Sequence, residues 1–202
     1  LRGEIAVHNH CYRADEMLVM LEIAREFDYQ VTAFHHATEA YKIADVLAEE
    51  TVCAAMWADW WGFKLEAFDA VGANVPMVDA QQACAIVHSD SSRDIQRLNQ
   101  EAAKAMGSAA RMGMDVDEAT AIRWITSNAA EALGVGDRTG RLEEGYMADV
   151  VLWDRNPFSV YARPQKVWID GALRFDVDDP ANRWTTDFEL DQTPAGRGEA
   201  GR

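Results

Sequence analysis

Long apolar runs are missing from this chain: nothing in it approaches the ~20 consecutive apolar residues of a membrane-spanning helix. Basic residues are scarce. Nineteen Lys and Arg stand against 34 Asp and Glu, giving a formal charge of −15. Such a surface repels phosphate backbones and anionic headgroups, so neither a nucleic-acid partner nor a membrane partner is expected. Cysteine is sparse as well. The three present, Cys11, Cys53 and Cys84, are an odd number without CxxC spacing. Two of them sit in or beside strand-like apolar runs, and reduced, buried thiols are the expectation. No internal repeat is evident. The chain starts at Leu1 with neither an initiator Met nor a signal-like segment. A cut or processed N-terminus is therefore expected. The chain reads as soluble; the cytoplasm is the favoured compartment, and export stays open because any targeting segment would lie upstream.

What is present is the composition of a globular protein, 49% hydrophobic and 26% charged. Residues 1–112 alternate short apolar runs with helix-period stretches, the pattern of a parallel α/β sheet. Strands are predicted over Ile5–His10, Val31–Phe34, Val52–Met56 and Ala85–His88. Helices are predicted over Ala14–Phe27, Glu39–Glu49, part of Phe68–Ala83, and Asp94–Met112. Two shorter helices follow. One is Asp117–Ile125, capped by Asp115 or Asp117; the other is Asn128–Leu133, stopped by Gly134. After Gly140 the pattern becomes short β: Ala148–Trp153, then a hairpin over Lys166–Phe175 turning at Asp170-Gly171. Four βα units are half of what a closed barrel of this kind needs. They would leave two open sheet edges, near Ile5–His10 and Ala85–His88, for another segment to cover.

Chemistry-bearing residues gather just past the predicted strand ends, where (β/α) barrels build their sites. His8 and His10 are two apart on one strand, so both face the same way and Cys11 faces the other. If only one of them binds metal, His10 is favoured, being nearer the strand's C-terminal end. Alternation sends one of His35 and His36 inward without fixing which. Asp90 suits a helix cap, but the reading as a metal ligand and general base is the stronger one, since the run ACAIV ends just before it. The aromatic loop Trp57, Trp60, Trp61, Phe63 contacts either substrate or a neighbouring domain. Arg13, Tyr41 and Lys42 are candidates for binding a substrate carboxylate, or else ordinary surface pairs. Glu39 is either a first-turn helix carboxylate or a site residue.

Four stretches together carry a resemblance. They are HCYRADEM from His10, HHATEAYKIADVLAEE from His35, HSDSSRDIQRLNQEAAKAM from His88, and SNAAEALGVGDRTGRLEEGYMADVVLWDRNPF from Ser127, followed by KVWIDG. Over about residues 4–176 the chain resembles the C-terminal half of an amidohydrolase-superfamily enzyme of the imidazolonepropionase-related group. The resemblance implies the C-terminal half of a TIM-like (β/α)8 barrel over 1–135 and part of a small β-sandwich over 136–176. The remaining residues, 177–202, read as a polar, poorly ordered tail.

The resemblance further implies one or two divalent metals, most often zinc, activating water to hydrolyse a C–N bond of a small-molecule amide. On it, His10 and His36 match metal ligands of strands five and six. Asp90 matches the strand-eight aspartate that binds metal and moves protons. Trp60 and His8 join Arg13, Tyr41 and Lys42 as candidate substrate contacts. The family's strand-one His-x-His pair and strand-four ligand have no counterpart here. The implied partner is therefore an N-terminal half, as a separate chain or preceding segment; homo-oligomerisation is a further expectation. Without that half the chain is expected to be inactive. The rival reading is a non-catalytic half-barrel kept as a binding or assembly module.

Overall fold

Four strands form because short runs of small, β-branched and aromatic residues are each joined to the next by a helix, the connection that parallel pairing requires. In a computed structural model that describes residues 3–60 and 62–182, they are β1 (His8–His10), β2 (Ala33–His35), β3 (Cys53–Met56) and β4 (Ala85–Val87). They lie in the order β1-β2-β3-β4, all parallel. The strands are shorter than predicted. Pairing nonetheless runs on below β1, where Thr32 N–H donates to the Val7 carbonyl at 2.8 Å.

The crossover helices are α1 (Ala14–Glu26), α2 (Ala44–Glu49), preceded by a 3-10 turn, and α3 (Asn74–Ala80). After β4 comes α4 (Leu98–Arg111). In α1, Ala14, Met17, Leu21 and Ala24 recur on one face and are buried. They meet Phe34, Ala54, Met56, Ala85 and Val87 from one face of the sheet, together with Leu47, Val75, Val78, Ala102 and Ala105. Each fully buried Leu or Val in this layer contributes about 1.5–3 kcal/mol. The other face carries smaller groups, Ala33, Cys53, Ala55 and Ile86, with Ala132 against them.

Two short helices continue the chain, α5 (Glu118–Arg123) and α6 (Ser127–Ala132). Of the two candidate caps, Asp117 is the one used; its Oδ1 accepts from Thr120 N–H at 2.7 Å. Gly134 ends α6 with φ +68°, as a helix-terminating glycine does. The edge of β4 is partly engaged, against the expectation of two open edges. Val87 N–H donates to the Trp124 carbonyl at 3.0 Å, and Asn128 Nδ2 donates to the Ala85 carbonyl at 2.8 Å. No strand flanks the outer side of β1 among the described residues.

A separate antiparallel sheet comprises β5 (Val150–Trp153), β6 (Pro164–Ile169) and β7 (Ala172–Asp176). Asp170 and Gly171 join β6 to β7 with φ of +51° and +75°, both positive as a tight two-residue hairpin requires. The expected tail begins with a 3-10 turn at Pro180–Asn182. Residues 183–202, on which the rest of that expectation falls, lie outside the described residues, as does Trp61.

The reduced state expected for the cysteines is corrected. Cys53 and Cys84 form a disulfide with Cα atoms 4.4 Å apart. The reason is lateral register: Ala54 pairs with Ala85, so the residues preceding them stand side by side. Cys11 alone is free, packed against α1, with burial and then the Glu16 and Asp15 carboxylates pushing its thiol up to about 12. For a cross-link spanning 31 residues, chain-entropy arguments give a stabilisation of about 3–4 kcal/mol. Thermal unfolding of the Cys53→Ser, Cys84→Ser double variant should show a loss of that size, and thiol titration of the unreduced, denatured chain should count one thiol. Three titratable thiols would remove the cross-link.

Candidate metal centre

The strand register brings the histidines together. His10 pairs laterally with His35, and His35 with Ala55, so the C-terminal ends of β1 to β3 lie level. A cavity of about 620 Å³ opens there, lined among others by His8, His10, His35, His36, His88 and Asp90. All five histidines of the chain therefore face one space.

His8, His10 and His35 reach it by simple alternation. His36 reaches it differently. The expectation that only one of His35 and His36 faces inward is overturned, because His36 has φ +62° and turns its ring back to the side that His35 already occupies. Asp90 has φ +47°. Four other non-glycine residues share the left-handed region, and each follows a helix (Asp28, Thr51, Gln82) or sits in the hairpin turn (Asp170). His36 instead follows β2 directly, and Asp90 lies three residues beyond the end of β4.

Of the three expected ligands, His36 neighbours each of the other two. The His10 and His36 rings are 4.3 Å apart between centroids, and His36 Nε2 lies 3.9 Å from Asp90 Oδ2. His8 is otherwise occupied: Nδ1 is 2.9 Å from His35 Nε2, and Nε2 is 2.9 Å from the Ala132 carbonyl. Burial, then the nearby His10, holds His36 down to about 4; burial, then His36 and His35, holds His88 down to about 3. Burial, then His8, lowers His35 also. Neutral imidazole is the form that ligates metals.

Two buried side-chain nitrogens have no hydrogen-bond partner among the described residues, His36 Nδ1 and His88 Nε2. Both belong to this cavity. Leaving such a group unpaired costs about 1–3 kcal/mol, so the fold retains donors here at its own expense. Unpaired neutral imidazoles beside a carboxylate fit a divalent cation in chemistry. They supply part of a coordination sphere only. Among the described residues, no group of three or more His, Cys, Asp or Glu is placed to hold a metal ion together.

Sequence reasoning passed over His88. It lies two residues beyond Ile86, which shares the inner face with Ala55, so strand alternation could have found it. Trp57 proves to be part of the wall: its indole is buried, stacks on His36 (4.8 Å, 20°) and donates from Nε1 to the Ser89 carbonyl at 3.0 Å. Tyr12 is stacked on His36 as well, at 5.4 Å. Glu39 proves to be a tether. Its buried Oε2 accepts from the Ala14 N–H at 3.0 Å, while Thr38 Oγ1 donates to the Tyr12 carbonyl at 3.1 Å. The loop after β2 is thereby fastened to the loop after β1, which holds His36 against His10.

The candidate carboxylate binders are not brought to the cavity. Arg13 pairs with Asp15 at 3.0 Å. Lys42 pairs with Asp69 at 2.8 Å and Glu39 at 3.2 Å, and the Tyr41 hydroxyl donates to the Asp69 carbonyl at 3.0 Å. Trp60 lies one ring further out, stacked on Trp57 at 5.6 Å.

Parallel βα units bearing histidines and an aspartate at their C-terminal ends define a class, and comparison with known proteins agrees. The profile of the Amidohydrolase family matches residues 63–175. The chain belongs to the amidohydrolase family. Among curated proteins, Amidohydrolase tasK of Hapsidospora irregularis is 33% identical over 181 residues, covering 87% of this chain and 18% of that protein. Among solved structures, an amidohydrolase from Thermotoga maritima MSB8 superposes with a TM-score of 0.77 at 30% identity, covering 87% of this chain and 44% of that one. An adenosine deaminase from Xanthomonas campestris, solved with bound zinc, shares the fold at a TM-score of 0.67 and 20% identity, over 86% and 46% of the two chains. The chain thus spans less than half the length of these relatives.

Proposed function

We propose that this chain forms the C-terminal half of a (β/α)8 barrel and part of an adjoining β-sandwich in a metal-dependent amidohydrolase. The enzyme hydrolyses a C–N bond of a small-molecule amide, a cyclic amide, an imidazolone or a dipeptide-like amide. The observation carrying this reading is the placement of His36 beside both His10 and Asp90 past the strand ends, with His36 Nδ1 buried and unpartnered. His10 and His36 would hold a divalent cation, zinc in the first instance, as in the zinc-bearing deaminase of the same fold. Such a cation, when bound, supplies a Lewis acid that brings the pKa of water down to about 7. The remaining ligands are assigned to an N-terminal half that also pairs with the outer side of β1.

Within this chain, each residue has a definable task. Burial keeps His36 neutral and able to ligate, and Trp57 and Tyr12 fix its ring plane by stacking. Asp90, with its side chain exposed to the cavity, accepts a proton from the attacking water and returns it to the departing nitrogen. An amine leaves only once protonated, so one carboxylate that both takes and gives the proton serves both halves of the reaction.

The full-length protein is the sample that tests this. It should contain one or two divalent ions, hydrolyse an amide from a panel of cyclic and dipeptide-like substrates, and lose activity on chelation with recovery on adding zinc. A full-length protein that binds no zinc would sink the proposal.

A further inference from the structure

The reaction above leaves His8 and His35 without a task, although the fold engages both nitrogens of His8. Its Nε2 lies 2.9 Å from the Ala132 carbonyl, and its Nδ1 lies 2.9 Å from His35 Nε2. Ala132 is the last residue of α6, where carbonyls run out of intrahelical donors. The Ala130 and Glu131 carbonyls are taken by the Val135 and Gly134 N–H groups, and His8 takes the next. Ala132 is itself buried against the inner face of the sheet, so this anchor is fixed. On the strand side, His8 stands level with Ala33, and His10 with His35. Ala33 ends at its Cβ, which leaves His35 room to reach back diagonally to His8, with ring centroids 5.1 Å apart.

These contacts dictate where the protons sit. A carbonyl only accepts, so His8 Nε2 carries the hydrogen and, in the neutral ring, Nδ1 holds a lone pair. That lone pair accepts from His35, which fixes the His35 proton on Nε2. The nitrogen left over, His35 Nδ1, keeps its lone pair and has no hydrogen-bond partner among the described residues. The ring is half-buried and lines the histidine cavity, its centroid 6.2 Å from that of His36 and 6.1 Å from that of His88. An unfixed neutral imidazole offers either a donor or an acceptor at a given nitrogen. Here the choice is made in advance, and it is an acceptor.

We propose that His35 is a substrate-binding residue that accepts an N–H of the amide at Nδ1, and that His8 is the positioning residue that fixes its tautomer. The inference rests on the amidohydrolase reading and adds a contact to it. A fixed acceptor favours an amide that still bears N–H. It rejects the N-alkylated analogue, whose methyl group leaves Nδ1 without a donor. Asp90 moves the proton whereas His35 holds the substrate, so the two roles are separable.

The test uses the full-length protein as purified, at about pH 8, above the ordinary histidine range. Histidine-selective nitrogen NMR, with the His35 signals assigned by their loss in His35→Leu, should show the Nε2–H tautomer at His35. His8→Leu should turn it into a mixture of both tautomers. In calorimetric titrations ethyleneurea should bind at least about tenfold more tightly than N,N′-dimethylethyleneurea, as one acceptor left unpaired predicts. His35→Leu should abolish that preference, which separates the contact from the bulk of the methyl groups, and His8→Leu should reduce it. An Nδ1–H tautomer in the parent, an unchanged tautomer in His8→Leu, equal binding of the two probes, binding of neither, or an unchanged preference in His35→Leu overturns the proposal. If His8→Leu does not fold, the parent tautomer and the His35→Leu titration still decide the matter. Loss of the hydrolase reading registers separately, as absence of zinc and of turnover with tautomer and preference intact.

Discussion

Asp90→Asn in the full-length protein should lower turnover by about 10²–10⁴-fold, the usual contribution of a positioned acid–base group, while most of the bound metal remains. The substitution keeps size and an oxygen donor but removes the ability to take up a proton at neutral pH. The side chain is exposed to the cavity and makes no buried contact whose loss would unfold the chain, with its nearest imidazole nitrogen at 3.9 Å. Stability should therefore stay near that of the parent. Steady-state kinetics and metal analysis on the same preparation separate the two quantities. Near-parent turnover would remove the proton-transfer role from Asp90 and leave the metal site standing.

His10→Ala and His36→Ala should fail in both respects together. Removing a residue that merely supports a ligand costs about 10–100-fold in metal affinity, so loss of a ligand itself should exceed that range and take turnover with it. The two positions differ in their secondary effect. His36 is buried between Trp57 and Tyr12, so alanine there opens a gap in an aromatic stack. His10 lies at the end of the edge strand and is less enclosed. Equilibrium dialysis against zinc, run beside thermal unfolding, would show a metal defect in both variants and a folding defect chiefly in His36→Ala. Retention of full zinc affinity by either variant would falsify its assignment as a ligand.

The layered architecture was legible because it depends on local periodicity. Strand order, parallel pairing and the helix positions all follow from apolar residues recurring at two or at three to four, and the Asp170-Gly171 turn from the backbone freedom of its residues. What sequence could not supply was lateral information. The Cys53–Cys84 bond depends on which residues of β3 and β4 stand level, which spacing along the chain does not state. The pairings of Lys42 and Tyr41 with Asp69 depend on how the loop after β3 comes back toward the loop after β2. That His35 and His36 both face the cavity was not legible for another reason. Alternation holds only while the backbone is extended, and the chain leaves the extended region at that residue. His88 was recoverable from alternation, and was missed because Asp90 drew the attention of the motif.

The left-handed backbone at His36 and Asp90 sets stability and chemistry against each other at the same two points. A residue with a Cβ held at positive φ costs on the order of 1–2 kcal/mol relative to glycine. Selection for folding alone would thus drift both positions toward glycine, and each such step would delete a candidate metal donor. On the proposed function, a histidine and an aspartate at these sites exchange some folding stability for the groups that the cavity presents.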